Sequence, residues 1–240
     1  MANDFFRFKQ FIVHQDKSAM KVCTDACLFG AWVAKEAHGG IKNILDIGSG
    51  TGLLTLMLTQ KIGAHADAVE IDEGAYQQST DNFLRAPWAH RLRVHHTSIQ
   101  LYNPSGKYDL IVSNPPFYKN SLQSPEAKRN VALHSASLNL EELLSRASDL
   151  LDSDGEFAVL LPPARVSVLE ELAAAYGLVI LRKCGVRQTP SHSLFRYMYL
   201  FTRNNSEKNG LIDEIIIKDS EGNYTARFYE LLKDYYLFEK

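Results

Sequence analysis

The chain has 240 residues, 45% of them hydrophobic and 22% charged, with a formal net charge of −2. That composition excludes a disordered or coiled-coil chain, and no apolar run reaches the roughly 20 residues of a membrane span. Three cysteines in so long a chain do not make a disulfide scaffold.

The first residues, Met1 to Arg7, lack the basic start and apolar stretch of a signal peptide, so the cytoplasm is the expected location. If a helix starts over Asp25–Ala37, Cys23 and Cys27 share one of its faces. Ile41–Ile47 reads as a buried strand running into Gly48-Ser49-Gly50-Thr51-Gly52, and Leu53–Leu58 as the helix after it. Ala66–Asp72 is a second strand, Glu73–Ala86 a helix stopped by Pro87, and Arg91–His96 a third strand. Tyr108–Ser113 is a fourth strand, halted by Pro115-Pro116. Leu138–Leu151 is an amphipathic helix. The turn Asp152–Gly155 leads into a fifth strand, Glu156–Leu161. Ser167–Tyr176 is a helix, and Leu178–Val186 and Phe195–Thr202 are two more strands. Strands alternating with helices imply βαβ units, a mostly parallel sheet and helices on both faces. Residues 204–210 read as a linker. The tail holds Ile215–Ile217, a turn at Ser220–Asn223 and the aromatic helix Ala226–Leu237, with Tyr229, Tyr235 and Tyr236 packing it on the core. The expected organisation is one domain: an N-terminal extension (1–40), a catalytic core (41–203) and a C-terminal appendage (204–240).

Two motifs carry chemistry. In Asp46-Ile47-Gly48-Ser49-Gly50-Thr51-Gly52 the glycines let the turn approach a ligand closely, and a helix N-terminus follows. Glu70 closes the second strand, where an acid in a doubly wound fold accepts hydrogen bonds from ribose hydroxyls. Together they point to an adenosine-containing cofactor. In Ser113-Asn114-Pro115-Pro116-Phe117 the prolines remove two donors. The Asn114 side chain and the Pro115 carbonyl remain as acceptors, and Phe117 offers a ring. That set fits a planar heteroaromatic amine.

Charge is unevenly distributed. Asn82–Tyr108 holds Arg85, Arg91, Arg93 and Lys107 with no acid; Leu172–Ser206 holds Arg182, Lys183, Arg187, Arg196 and Arg203, again with none. If these gather on one face they make a surface for a polyanion. Cys23 and Cys27 are only half a zinc site, and no metal is expected.

These residues resemble the class I S-adenosylmethionine-dependent methyltransferases that carry an Asn-Pro-Pro-aromatic signature, over about Asn43 to Thr202. With Phe6–Phe11, Met20–Asp25 and Tyr224–Leu237 included, the chain resembles the bacterial tRNA(Val) (adenine-N6)-methyltransferase family, which modifies the adenine beside the anticodon. The resemblance implies an α/β, Rossmann-like, doubly wound sheet of seven mostly parallel strands in the order 3-2-1-4-5-7-6. It implies S-adenosylmethionine as cofactor and tRNA as partner. Asp46, Gly48 and Gly50 fall to the cofactor's methionine side, Glu70 to its ribose, and Thr24 and Asp25 to its methionine end. Relatives carry an acid after the third strand that reads the cofactor's adenine; here Thr97-Ser98-Ile99 stands instead, leaving Ser98 or backbone for that contact. Asn114 falls to the target amine and is also expected to meet the cofactor; Pro115 and Phe117 join it by their own chemistry, and Lys119, Arg129 and Arg187 are read from their charge as RNA contacts. The same signature also serves rRNA guanine N2 and protein glutamine, and a binding module without turnover is the remaining alternative.

Overall fold

The computed structural model describes residues 3–18, 20–116, 138–203 and 210–238. Two short strands, β1 (Phe5–Arg7) and β2 (Ile12–His14), form an antiparallel hairpin ahead of helix α1 (Thr24–Glu36). Then come β3 (Asn43–Ile47), α2 (Leu53–Lys61), β4 (His65–Glu70), α3 (Glu73–Leu84), β5 (Leu92–His96) and β6 (Tyr108–Ser113). After the Asn-Pro-Pro segment follow α4 (Leu140–Leu150), β7 (Leu151–Leu161), α5 (Val166–Ala175), β8 (Val179–Arg187) and β9 (Leu194–Thr202). The tail adds β10 (Leu211–Ile216) and α6 (Ala226–Leu232).

The eight strands from β3 onward form one sheet in the order β10-β8-β9-β7-β6-β3-β4-β5. Numbered from β3, the seven core strands stand in the expected order 3-2-1-4-5-7-6, with β9 antiparallel to both of its neighbours. The eighth strand corrects the count. β10 pairs in parallel with β8, from Leu211 opposite Arg182 to Ile216 opposite Arg187. The part of the tail read as Ile215–Ile217 therefore extends the sheet. A strand at the edge needs only one apolar face, so its polar half, Asp213-Glu214, masks it in the sequence.

The turn read at Asp152–Gly155 is also corrected. β7 starts at Leu151, opposite Tyr108, and its next partner to β6 is Glu156, opposite Leu110. Residues 152–155 are accommodated as an irregularity inside one long strand, so their turn-like composition marks a bulge.

Apolar cores lie on both faces. Ile44, Ala66, Ala68, Leu110 and Val112 meet α1, α2, Phe83 of α3 and the tail on one side. Leu45, Ile47, Ile111, Phe157 and Val159 meet Leu143, Leu144 and Leu169 on the other. Burying each of these side chains larger than alanine contributes about 1.5–3 kcal/mol, which pins the strand register and with it the carboxyl edge of the sheet. On the first face the hairpin and tail meet. The Lys9 N–H donates to the Tyr235 carbonyl (2.8 Å), and the Tyr235 hydroxyl donates to the Met57 carbonyl (3.1 Å). Tyr235 is buried and the Tyr236 ring lies tilted against Phe6 and Phe8, whereas Tyr229 stays about half exposed. Among the described residues no helix is long and apolar enough to cross a membrane.

Candidate active site

Register brings the chemistry-bearing residues to one edge. Ile47 lies opposite Val69 on one side and Ser113 on the other, and Glu70 lies opposite His96. The residues that leave the carboxyl ends of β3, β4, β5 and β6 are therefore Gly48, Glu70, Thr97-Ser98 and Asn114. The Ser113 hydroxyl donates to the Ile47 carbonyl (2.9 Å), locking the two central strand ends together. In open α/β sheets this crevice, where the strand order reverses, is where ligands bind.

The turn after β3 is tight. Gly48, Gly50 and Gly52 have φ of 74°, 56° and 80°, a left-handed backbone that side chains disfavour. A Cβ at Gly48 or Gly50 would meet nothing within 4 Å, so both positions face open space. At Gly52 a Cβ would sit 2.4 Å from the Phe83 ring.

Two carboxylates organise the turn. Glu70 Oε2 accepts the Gly50 N–H (2.8 Å), and Oε1 accepts those of Ile71 and Asp72 (both 2.9 Å). Asp46 is fully buried, and its Oδ2 accepts the backbone N–H (3.2 Å) and hydroxyl (2.7 Å) of Thr55. Its Oδ1, like the buried Ser49 hydroxyl, has no hydrogen-bond partner among the described residues. Burial, with a smaller push from the Glu70 charge, raises the Asp46 carboxyl to about 7. An unsatisfied buried acceptor beside an open glycine turn suits a polar ligand that donates hydrogen bonds.

Asn114 and Pro115 are half-buried immediately after β6. Pro115 and Pro116 line a small cavity with Leu138, Asn139, Leu143, Leu161 and Arg165, so the Pro-Pro turn opens toward the start of α4. Ser98 begins a helical turn: its carbonyl accepts the N–H groups of Leu101 and Tyr102 (both 3.1 Å). Thr24 is exposed at the start of α1, while Asp25 Oδ2 pairs with Arg196 Nε (2.7 Å) at the start of β9. Phe117, Lys119 and Arg129 lie outside the described residues.

The single basic face is corrected. Asn82–Tyr108 includes the edge strand β5, whereas Leu172–Ser206 includes β8 and β9 beyond the other side of the sheet centre. Six strand spacings separate β5 from β8, about 29 Å. Most of the cations are also engaged. Arg91 donates to the carbonyls of Thr59, Ile62 and Ala64 (3.3–3.5 Å). Arg182 pairs with Glu36, Lys183 with Glu170 and Arg187 with Glu214. Arg187 also donates to the His192 carbonyl (2.7 Å). Local composition cannot show that acids from distant segments arrive to neutralise these residues. Cys27 and Cys184 are buried, and burial pushes both thiols up to about 12, far from a reactive thiolate.

Sequence reading missed Thr55, which holds Asp46, and the pair Gln78 and Asn82 on α3, both 1% exposed. Their i, i+4 spacing on a helix that packs inward was the available signal.

A doubly wound sheet with a glycine turn, an acid after the second core strand and an Asn-Pro-Pro segment on one edge has the build of a Rossmann-like methyltransferase, and a family model described as "Methyltransferase small domain" matches residues 32–165. Solved structures share the fold. A predicted O-methyltransferase from Agrobacterium tumefaciens superposes with a TM-score of 0.65 at 15% identity, covering 88% of this chain and 96% of that one. A methyltransferase from Pyrococcus furiosus gives 0.53 at 22%, covering 72% and 80%. Among sequences, a relative from Dyadobacter fermentans named tRNA1(Val) (adenine(37)-N6)-methyltransferase is 41% identical over 238 residues, 98% of each chain. A relative of the same name from Bacteroides thetaiotaomicron is 39% identical over 242 residues, the full length of both. The chain belongs to the tRNA1(Val) (adenine(37)-N6)-methyltransferase family.

Proposed function

We propose that the protein transfers a methyl group from S-adenosylmethionine to N6 of adenine 37, beside the anticodon of valine tRNA; a cytoplasmic location goes with that substrate. The observation that carries the reading is end-to-end similarity at 41% identity to a relative named for that reaction. The carboxyl-edge site supports it independently. The orphaned Asp46 Oδ1, the open space over Gly48 and Gly50 and the remaining acceptor capacity of Glu70 fit a cofactor with an ammonium group and ribose hydroxyls.

In this reading Asp46, Gly48 and Gly50 face the methionine portion with Thr24 and Asp25, Glu70 the ribose, and Ser98 the adenine. Bound S-adenosylmethionine supplies a methyl already activated on sulfur. The chain's own task is alignment. The lone pair of an adenine N6 is delocalised into the ring and is a poor nucleophile. The Asn114 side-chain oxygen and the Pro115 carbonyl accept its two N–H groups, drawing the nitrogen toward a tetrahedral shape and localising the pair. The amine proton becomes acidic only as the new bond forms, so no strong base is needed. Phe117 stacks on the base, which an RNA loop presents out of its helical stack. Lys119 and Arg129 meet phosphate; Arg187, committed to Glu214, is left out of the site.

The test is methyl transfer from labelled S-adenosylmethionine to separated tRNA, rRNA and protein fractions. Label in tRNA alone, recovered as N6-methyladenosine, is expected. Label in rRNA as methylguanosine or in protein as methylglutamine overturns the substrate.

A further inference from the structure

Asn82 occupies an unusual position. It lies inside helix α3, 1% exposed, and its side chain serves two other parts of the chain at once. Its Oδ1 accepts the His14 N–H, and its Nδ2 donates to the His14 carbonyl and to the Thr51 carbonyl, each at 2.9 Å. Toward His14 the amide acts as one more strand partner for β2, exchanging both backbone bonds. Toward Thr51 it grips the glycine turn. One helical turn earlier, Gln78 Oε1 accepts the Lys17 N–H (2.7 Å). One further turn earlier, Gly74 lets the Lys17 carbonyl approach so closely that a Cβ there would stand 2.8 Å from it. Lys17 Nζ also pairs with Asp81 (2.8 Å). The inner face of α3 is thus fitted to the segment His14–Ser18 along three turns, and one of its contacts ends on the turn that Glu70 also holds.

We propose that α3 is a clasp joining the N-terminal segment His14–Ser18 to the glycine turn, and that Asn82 is a positioning residue for cofactor binding. The inference rests on the cofactor reading above. A buried amide with both N–H groups and its oxygen bonded is costly to disturb, because each lost bond strands a partner away from water. With Asn82 in place, the Thr51 carbonyl is held from one side and the Gly50 N–H from the other by Glu70. The left-handed turn is thereby set before ligand arrives. Ordering the turn and ordering His14–Ser18 become one event.

The experiment measures S-adenosylhomocysteine binding by calorimetry to the wild type, Asn82→Asp and Gly74→Ala, with hydrogen exchange on the wild type with and without that ligand. Asn82→Asp keeps size and acceptor but removes both donated bonds; its dissociation constant rises at least tenfold. Gly74→Ala inserts a methyl against the Lys17 backbone without touching the glycine turn, and alanine is the better helix former, so the helix persists; its dissociation constant rises at least threefold. In the wild type the ligand slows exchange at the His14 and Lys17 amides more than at amides of β10. Should Asn82→Asp fail to fold, Gly74→Ala and the wild-type exchange still decide. Wild-type affinity in Gly74→Ala together with ligand-independent exchange at His14 and Lys17 overturns the clasp while leaving the cofactor reading intact. No binding by the wild type overturns both.

Discussion

Replacing Glu70 by alanine removes three hydrogen bonds to backbone N–H groups, those of Gly50, Ile71 and Asp72. The losses are unequal. Ile71 and Asp72 are exposed, so their N–H groups recover water. Gly50 sits inside the turn, and its bond to a carboxylate is the kind worth about 1.5–3 kcal/mol. Losing it frees the left-handed turn and also deletes the proposed ribose acceptor. Affinity for S-adenosylhomocysteine should fall roughly ten- to hundredfold, at about 1.4 kcal/mol per factor of ten. Glu70→Gln separates the two sides of the carboxylate. Its amide oxygen can serve Ile71 and Asp72, but its nitrogen then faces the Gly50 N–H, so it should bind more weakly than the wild type as well. Calorimetry gives the affinities, and melting curves without ligand give the cost to the fold. Both variants binding within twofold of wild type would refute the reasoning that Glu70 organises the site.

Other expectations follow from the same geometry. Asp46 has a folded-state pKa raised to about 7, above an ordinary carboxyl near 4, so the folded state holds the extra proton. Its contribution is complete below pH 4, is lost as pH rises from about 4 to 7, and is flat above; the loss is on the order of a few kcal/mol. Unfolding free energies from urea curves of ligand-free protein at pH 5 and pH 8 should differ by about two-thirds of that amount more in the wild type than in Asp46→Asn, because pH 5 already lies inside the window, and equal differences would show that Asp46 is ionised throughout. Arg91→Met should lower stability by about 1–3 kcal/mol, because three carbonyls lose a charged donor. It should leave the salt dependence of tRNA affinity unchanged, and a reduced slope of log K against log salt would mean that Arg91 meets phosphate.

The central strands were legible because parallel strands buried on both faces read as unbroken apolar runs, as in Leu110–Val112 and Phe157–Leu161. The glycine turn and Asn114 were legible because their chemistry is contiguous in sequence. What escaped depends on partners far along the chain. β1 and β2 are three residues each, too short to stand out as strands, and Phe6 of β1 packs against Tyr236 of the tail. β10 exists because β8 offers an edge. The acid-free segments suggested a basic face, yet Glu36, Glu170 and Glu214 arrive from elsewhere to pair their cations. The role of Asn82 rests on three hydrogen bonds to His14 and Thr51, both remote from it in sequence, so nothing local to the helix marks it beyond its spacing from Gln78.

The most direct measurement of the central claim is single-turnover methyl transfer to unmodified valine tRNA, with nucleoside analysis and mapping of the product. The wild type should give N6-methyladenosine at the position beside the anticodon. Asn114→Ala should transfer at least 100-fold more slowly, the scale of one preorganised hydrogen-bonding group, while binding S-adenosylhomocysteine nearly as well as the wild type. Transfer by Asn114→Ala at a near wild-type rate, or a wild-type product other than N6-methyladenosine at that position, would contradict the account.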